Sequence, residues 1–303
     1  MSAGARRRPL RGGPARPGVG WALPGVLFFL LFAVVPLLLV GYLSLTSWEG
    51  LGTPRFVGAE NWTRLAGDPV MRQAVLLSVA LTAATWLVQT PISLLLGVWA
   101  AGPQRNRAVL SAIFFTPLLL SSAAIAIVWK ALLDPNFGPL ARLAPWLGLS
   151  GIDVLGSSGG AFLAVVFVSA WQFIPLHTLI YQGGARQIPA VLYGAAEMDG
   201  AGRLRRFWHV TLPQLRHTVT TSSVLMIVGA LTYFDTVLIL TQGGPGTDTS
   251  IVPYLMYRVG FVGYEMGYAS AIAATLVVAA TAVSLLLVRF TGFAAMRSTR
   301  EGM

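Results

Sequence analysis

Residues 187–215 read QIPAVLYGAAEMDGAGRLRRFWHVTLPQL, the longest polar interruption in the C-terminal half of a very apolar chain. Pro189 is suited to the first position of a helix, where its missing N–H is not needed. Gly200 and Gly202 can adopt the positive φ that ends a helix. Between them, apolar residues recur at helical spacing: Val191, Leu192, Ala195, Ala196 and Met198.

A second short helix is predicted after the two glycines, and Pro213 is expected to end it. One face of this helix is predicted to carry Leu204, Phe207, Trp208 and Thr211, with arginines on the other faces. Two short amphipathic helices joined by a glycine hinge, between two apolar runs, have no core of their own to build. The segment is therefore either a helical loop on a membrane surface or a docking surface for a soluble partner.

This segment resembles the Glu-Ala-Ala loop of ABC importer permeases, in Ala-Ala, Asp-Gly-Ala, Phe and Leu-Pro at the family's spacings. It departs at Gly194, where the family usually has the Glu that names the motif. The resemblance implies that the segment is the coupling helix on which a separate ATPase acts. The implied coupling residues are Tyr193, Gly194, Ala195, Ala196, Asp199, Gly200, Ala201, Phe207 and Pro213.

Further motifs resemble the carbohydrate-uptake branch of these permeases, the maltose and glycerol-phosphate type, and the resemblance covers roughly residues 56–288. It implies an all-α membrane protein with six transmembrane helices and the type I ABC importer permease fold. The motifs are Phe56-Val57-Gly58 with Asn61-Trp62, Leu240-Thr241 with Gly243-Gly244-Pro245-Gly246, and Phe261 with Gly267-Tyr268-Ala269-Ser270-Ala271.

Composition indicates a membrane protein. Of 303 residues, 55% are hydrophobic and only 11% charged, and the mean hydropathy is +0.70, whereas about a quarter of a soluble domain is charged. The net charge of +10 would suggest nucleic acid in a soluble chain. That partner is rejected because the positive charge lies mainly on one side of the predicted membrane topology.

The sequence predicts no enzyme activity, no cofactor and no metal site. It has no cysteine and no Gly-Lys-Ser/Thr triplet of a phosphate-binding loop, so ATP is expected to bind on partner chains. The three histidines are scattered, and no metal-ligand spacing or catalytic constellation is present.

Six apolar runs are long enough to cross a bilayer: 21–45, 73–101, 108–133, 161–183, 218–241 and 267–288. The predicted organisation is a disordered basic tail (1–20), a first transmembrane helix (21–47), an extracytoplasmic loop (48–71), a permease core (72–288) containing the coupling loop (187–215), and a cytoplasmic tail (289–303). A secretory signal at the N-terminus is disfavoured because the first run is too long.

Arginine and lysine set the predicted orientation. Fifteen of the 21 lie in 1–20, 102–107, 184–216 and 289–303. Both termini and the coupling loop are therefore predicted to be cytoplasmic in a multi-pass protein of the cell membrane.

Asp235 is the one acidic residue inside a predicted span, where a carboxylate costs about 2.5–3.5 kcal/mol unless it faces protein or water. It either makes a structural pair, is hydrated near the surface, or lines a sugar cavity. In the last case Tyr233 and Phe234 would stack on sugar faces, together with Trp171 and Gln172 of the fourth run.

The resemblance implies a permease subunit that imports a sugar or sugar-like solute. The implied partners are a second permease subunit in a heterodimer, two cytosolic ATPase subunits, an extracytoplasmic solute-binding protein, the sugar and the lipid bilayer. The alternative is a stand-alone secondary transporter or channel. A secondary transporter is expected to carry several intramembrane ionisable residues, and only Asp235 qualifies.

Overall fold

The computed structural model describes residues 19–102, 107–143, 146 and 153–290. The predicted tails 1–20 and 289–303 lie almost entirely outside these residues. The first elements are α1 Gly20–Leu43, β1 Thr46–Ser47, β2 Arg55–Phe56, α2 Glu60–Gly67, α3 Pro69–Ala101, α4 Arg107–Leu119, α5 Ser122–Leu132 and α6 Pro139–Leu143. They are followed by α7 Ser158–Arg186, α8 Ala190–Met198 and α9 Arg203–Arg206, which continues through the π-helical turn Phe207–Thr211 and through Leu212–Gln214. The last elements are α10 Arg216–Ala230, the π-helical α11 Val237–Thr241, α12 Val252–Tyr257 continued by the π-helical turn Arg258–Val262, and α13 Met266–Phe290.

Four helices in the described part of the chain are long and apolar enough to cross a membrane: α1, α3, α7 and α13. They correspond to four of the six predicted runs; α3, α7 and α13 contain the whole run, whereas α1 ends two residues before its run does. α3 begins at Pro69 because the Asp68 carboxylate accepts a hydrogen bond of 2.8 Å from the backbone N–H of Val70.

The third run, 108–133, is not one straight helix. It is broken into α4 and α5, and the helix axis bends by 113° between them. Pro117 lies in the last turn of α4, and the Ser121 hydroxyl caps α5 by accepting from the N–H of Ala124 at 3.2 Å. Beyond α5, hydrogen bonds from the N–H groups of Phe137 and Asn136 lower the pKa of the Asp134 carboxyl.

The fifth run, 218–241, was also predicted as one helix, and this is wrong. α10 ends at Ala230, the chain is not helical at residues 231–234, and the short α11 follows. The described residues thus hold four possible spans, or five if the bent pair α4–α5 counts as one. The six-span topology and the orientation of the termini stay predictions.

α3 and α7 pack side by side in parallel and carry most of the core. Near the start of both helices, Leu81 and Val165 belong to one buried cluster. Near their ends the backbones approach closely, since a Cβ on Gly97 would lie 2.6 Å from the Cβ of Tyr181. Parallel packing places α2, before α3, and α8, after α7, at opposite ends of the molecule. These are called the α2 end and the α8 end below.

The α2 end is tied together by contacts between distant parts of the chain. The buried Asn61 amide donates to the backbone carbonyls of Ser44 and Thr46 at 3.0 and 2.8 Å. The β1–β2 hairpin pairs Thr46 with Phe56. Gly267 of α13 lies so close that an added Cβ would be 1.9 Å from the Thr46 carbonyl oxygen. α1 is thereby anchored to the core.

Candidate functional site

At the α8 end the chain forms the predicted helical hairpin. α8 is followed by Gly200 at φ +72°, a backbone conformation that favours glycine. Two details of the prediction are wrong. Pro189 precedes the first helical residue, and Gly202 has φ −66° in extended backbone, where it caps α9. Gly200 alone forms the hinge.

The second helix does not end at Pro213, as the sequence predicted. α9 runs through a π-helical turn and past Pro213 to Gln214. Its predicted apolar face is also divided. Phe207 packs against the cluster that contains Tyr181, and Thr211 is buried, whereas Leu204 and Trp208 are exposed.

Two polar contacts hold the hairpin to itself. The Tyr193 hydroxyl lies 3.0 Å from the Thr211 hydroxyl, and Arg206 forms an ion pair with Glu197. Ala196, Asp199 and Ala201, three of the predicted coupling residues, line a small cavity of about 280 Å³ together with Arg205, Arg206 and His209.

The outward face of α8 has no partner within the described chain. Val191 is 74% exposed and Met198 is 87% exposed, and Gly194 and Ala195 between them are exposed as well. A Cβ on Gly194 would meet nothing within 4 Å. An apolar helix face presented to solvent indicates a surface that another molecule covers.

A second feature is a cavity of about 430 Å³ between α7, the end of α10 and residues 232–236. Three predicted substrate-path residues line it: Tyr233, Phe234 and Asp235. Phe173 stacks on Tyr233 with ring centroids 5.5 Å apart and 9° between the planes.

The prediction missed Phe173 and His177, which also line the cavity. They are four residues apart on α7 and so share one face of that helix. That spacing was the available signal. His177 is largely buried, with Nδ1 2.9 Å from the Ser222 hydroxyl.

Trp171 and Gln172 lie elsewhere. Trp171 makes an edge-to-face contact with Trp129 at 5.6 Å and lines a separate space beside Pro117 and Pro175. Gln172 is buried and donates to the Ser122 hydroxyl at 3.0 Å. The structure therefore brings together three of the five proposed path residues.

The polar groups around the cavity are sparse. The Gln89 amide donates to the Tyr233 hydroxyl at 3.4 Å, and the Gln89 Oε1 is buried without a protein partner. Asp235 is exposed in the cavity wall and has no ion-pair partner among the described residues. The described part of the chain holds no group of His, Cys, Asp and Glu that could bind a metal.

The chain resembles known proteins both in sequence and in fold. Residues 93–295 match the family model of the binding-protein-dependent transport system inner membrane component. The chain belongs to this family. The match spans the broken pair α4–α5, the cavity, the hairpin and α13, and it confirms the resemblance to ABC importer permeases.

Individual relatives cover nearly the whole chain. A probable ABC transporter permease, YurN, of Bacillus subtilis is 32% identical over 87% of this chain and 92% of its own. The diacetylchitobiose uptake permease NgcF of Streptomyces coelicolor is 31% identical over 90% of this chain and 82% of its own.

A solved bacterial alginate ABC transporter, in complex with alginate pentasaccharide-bound periplasmic protein, contains a chain of the same fold. The TM-score is 0.80 at 20% identity, covering 92% of this chain and 95% of that chain.

Proposed function

We propose that this family member is the permease subunit of an ATP-driven importer for a sugar or sugar-like solute. It pairs with a second permease, receives its solute from an extracytoplasmic binding protein and is driven by two cytosolic ATPase subunits, which bind the ATP. Its termini and its α8 end face the cytoplasm, and the chain crosses the cell membrane several times. The family match and the sugar-permease names of its relatives support this function.

The observation that carries the coupling role is the unpartnered face of α8. This helix follows the end of α7 after residues 187–189, and its exposed residues Val191 and Met198 are apolar. The small residues Gly194 and Ala195 lie between them, so the face would bury little area in lipid headgroups but lets a protein surface approach closely. A soluble ATPase is the partner that fits a face of this kind at the cytoplasmic end.

The work of such a permease is conformational. Binding of ATP draws the ATPase subunits together, and a helix docked on them moves with them. Because Phe207 and Thr211 of the hairpin are packed into the end of the helix bundle, motion of the hairpin reaches α7 and α10. Those helices line the cavity, so ATP shifts the equilibrium between states in which the cavity opens to opposite sides.

The cavity supports a sugar as the solute. The stacked rings of Phe173 and Tyr233 offer apolar surface for the faces of pyranose rings, and the Asp235 carboxylate is free to accept hydrogen bonds from hydroxyls. No Lys or Arg lies among the cavity's described lining residues. Within this subunit, the lining therefore favours an uncharged saccharide over an anionic one.

Gly200 tests the coupling role. A side chain at Gly200 would meet nothing within 4 Å, so its cost inside the chain is only that of positive φ, about 1 kcal/mol for most residues. We expect Gly200→Val to abolish uptake by the reconstituted complex, although the protein still inserts and copurifies with the second permease. If Gly200 only ends the helix, Gly200→Asn, which tolerates positive φ, should transport fully and Gly200→Val should misfold. Normal uptake by Gly200→Val would contradict the coupling role.

Asp235→Asn tests the cavity. The variant keeps the size of the side chain and removes its charge. A solute-binding role predicts a changed half-saturating concentration for uptake, while assembly and basal ATP hydrolysis are unchanged. Loss of the assembled complex, with no solute-dependent change in what survives, would instead favour a structural pair with the second permease.

A further inference from the structure

The two helices of the hairpin expose different surfaces. The outward face of α8 is uncharged, whereas α9 exposes apolar and basic side chains together. Leu204 and Trp208 are 72% and 56% exposed, and Arg205 and His209 are exposed beside them. Residues four apart lie on one side of a helix, so these four form an apolar row and a basic row next to each other. They are called the α9 surface.

The α9 surface lies level with the ends of the long helices. On the inner side of α9, Phe207 packs against the same buried cluster as Val98 and Ala101, which belong to the last turn of α3. The Trp208 ring meets the Phe207 ring edge to face, with centroids 5.5 Å apart. Trp99, in that last turn of α3, is 55% exposed. Exposed tryptophans where an apolar span ends are typical of the boundary between membrane and water.

The charges of α9 are only partly matched within the chain. Arg206 is paired with Glu197, whereas Arg203 and Arg205 have no ion-pair partner in the described part of the chain. Asp199 lines the same small cavity as Arg205 but is not within ion-pair distance. Guanidinium groups beside an exposed Trp and Leu complement a molecule that has an anionic head and an apolar body. The uncharged face of α8 offers no such match.

We propose that the α9 surface binds an anionic phospholipid at the membrane boundary of the α8 end. Leu204 and Trp208 enter the layer between headgroups and acyl chains, and Arg203 and Arg205 hold the lipid phosphate. The hairpin then has two partners, since the proposed function assigns the face of α8 to an ATPase. The lipid site goes beyond the proposed function and requires only that the long helices cross a membrane.

The test places a fluorophore on α9 in the complete transporter, held in phosphatidylcholine nanodiscs. The chain has no cysteine, so Leu204→Cys gives it a single labelling site, and the unsubstituted complex gives the background from the other subunits. We expect phosphatidylglycerol that carries a nitroxide near its headgroup to quench this label. A label on Val191→Cys of α8, a position that is 74% exposed, is the matched control and should not be quenched.

The charge preference is tested with the same label at position 204. Nitroxide-labelled phosphatidylglycerol and phosphatidylcholine are compared at equal mole fraction and low salt. Arg205→Gln should lower the preference for phosphatidylglycerol about fivefold, the effect of one arginine near an anionic surface. Arg205→Lys should keep the preference. Arg55→Gln, at an exposed position of the opposite end, is the control and should also keep it. High salt should weaken the preference in the native chain.

Three results would overturn the proposal. The first is a label at position 204 that lipid does not quench and that aqueous iodide reaches only after the ATPase subunits are removed, because the ATPase would then cover α9. The second is equal quenching by the two lipids, and the third is an unchanged preference in Arg205→Gln. Both faces of a nanodisc have the same lipids. The results therefore do not depend on the solute or on which end is cytoplasmic, and the proposed function can fail separately.

Discussion

The two ends of the molecule are held in opposite ways. At the α2 end, Asn61 and Gly267 join segments that are far apart in sequence, and Arg64 of α2 pairs with Glu265. At the α8 end, the hairpin is held to itself by an exposed ion pair and by the Tyr193–Thr211 contact, and it presents apolar residues to solvent. The first end is closed by contacts between distant segments of the described chain, whereas the second exposes the face of α8 that the proposed function assigns to a partner.

This difference predicts where substitutions act. Changes at the α2 end should lower the stability of the protein, and changes on the hairpin should lower transport more than stability. Four predictions examine the contrast through thermal unfolding of the detergent-purified protein, in order of decreasing effect.

Gly267→Ala should have the largest effect. The new Cβ would lie 1.9 Å from the Thr46 carbonyl oxygen, which is backbone and cannot rotate away. We expect a loss of about 3 kcal/mol, the upper part of the usual range for overpacking. Gly41→Ala on α1 is the control, since a Cβ there meets nothing within 4 Å. If both variants unfold at the same temperature, the α2 end is not tightly closed.

Asn61→Ala should cost about 2 kcal/mol. It removes two hydrogen bonds and leaves the carbonyls of Ser44 and Thr46, both buried residues, without that donor. Glu60→Gln, at the adjacent exposed position, should be close to neutral. A native unfolding temperature for Asn61→Ala would show that α1 is anchored by other contacts.

Tyr193→Phe should cost about 1 kcal/mol or less, the usual value of one hydrogen bond. The buried Thr211 hydroxyl loses its 3.0 Å partner, while the ring remains. Thr63→Val, at an exposed position of α2, is a control for losing one hydroxyl. A loss as large as that of Asn61→Ala would mean that the hairpin is braced as firmly as the opposite end, against the comparison drawn above.

Glu265→Gln should have the smallest effect. The ion pair with Arg64 is about half exposed on both sides, and such pairs contribute about 0.2–1 kcal/mol. The Arg64 guanidinium also lies 4.0 Å from the centre of the Tyr268 ring, a contact that the substitution leaves in place. The difference from the native protein should disappear at high salt. A difference that persists there would contradict a purely surface pair.

The sequence predicted the long helices well, because α1, α3, α7 and α13 are long apolar runs and length with composition suffices to find them. It failed for α4–α5 and for α10–α11. Their breaks depend on Pro117 with the Ser121 cap, and on the non-helical residues 231–234. An apolar composition conceals such features, since it is the same in a straight helix and a broken one.

The sites show the same limit. The glycine hinge at Gly200 could be predicted because positive φ restricts residue choice, whereas the π-helical turn that carries α9 past Pro213 has no comparable signature. Tyr233, Phe234 and Asp235 were found together because they are adjacent in sequence. Trp171 lines a separate space because it lies on another face of α7 from Phe173, two residues later, and its part in the substrate path stays a prediction.

The bend between α4 and α5 limits what can lie beside this part of the molecule in a membrane. In hydrocarbon every backbone N–H and C=O needs a partner, so an interrupted helix at membrane depth must adjoin protein or water. Leu119, Leu120 and Ser121 are exposed at the bend, and Ser122 lines the cavity. We therefore expect this side to adjoin water or another protein chain rather than acyl chains, and backbone amides at the bend should exchange with deuterium sooner than those in the middle of α3.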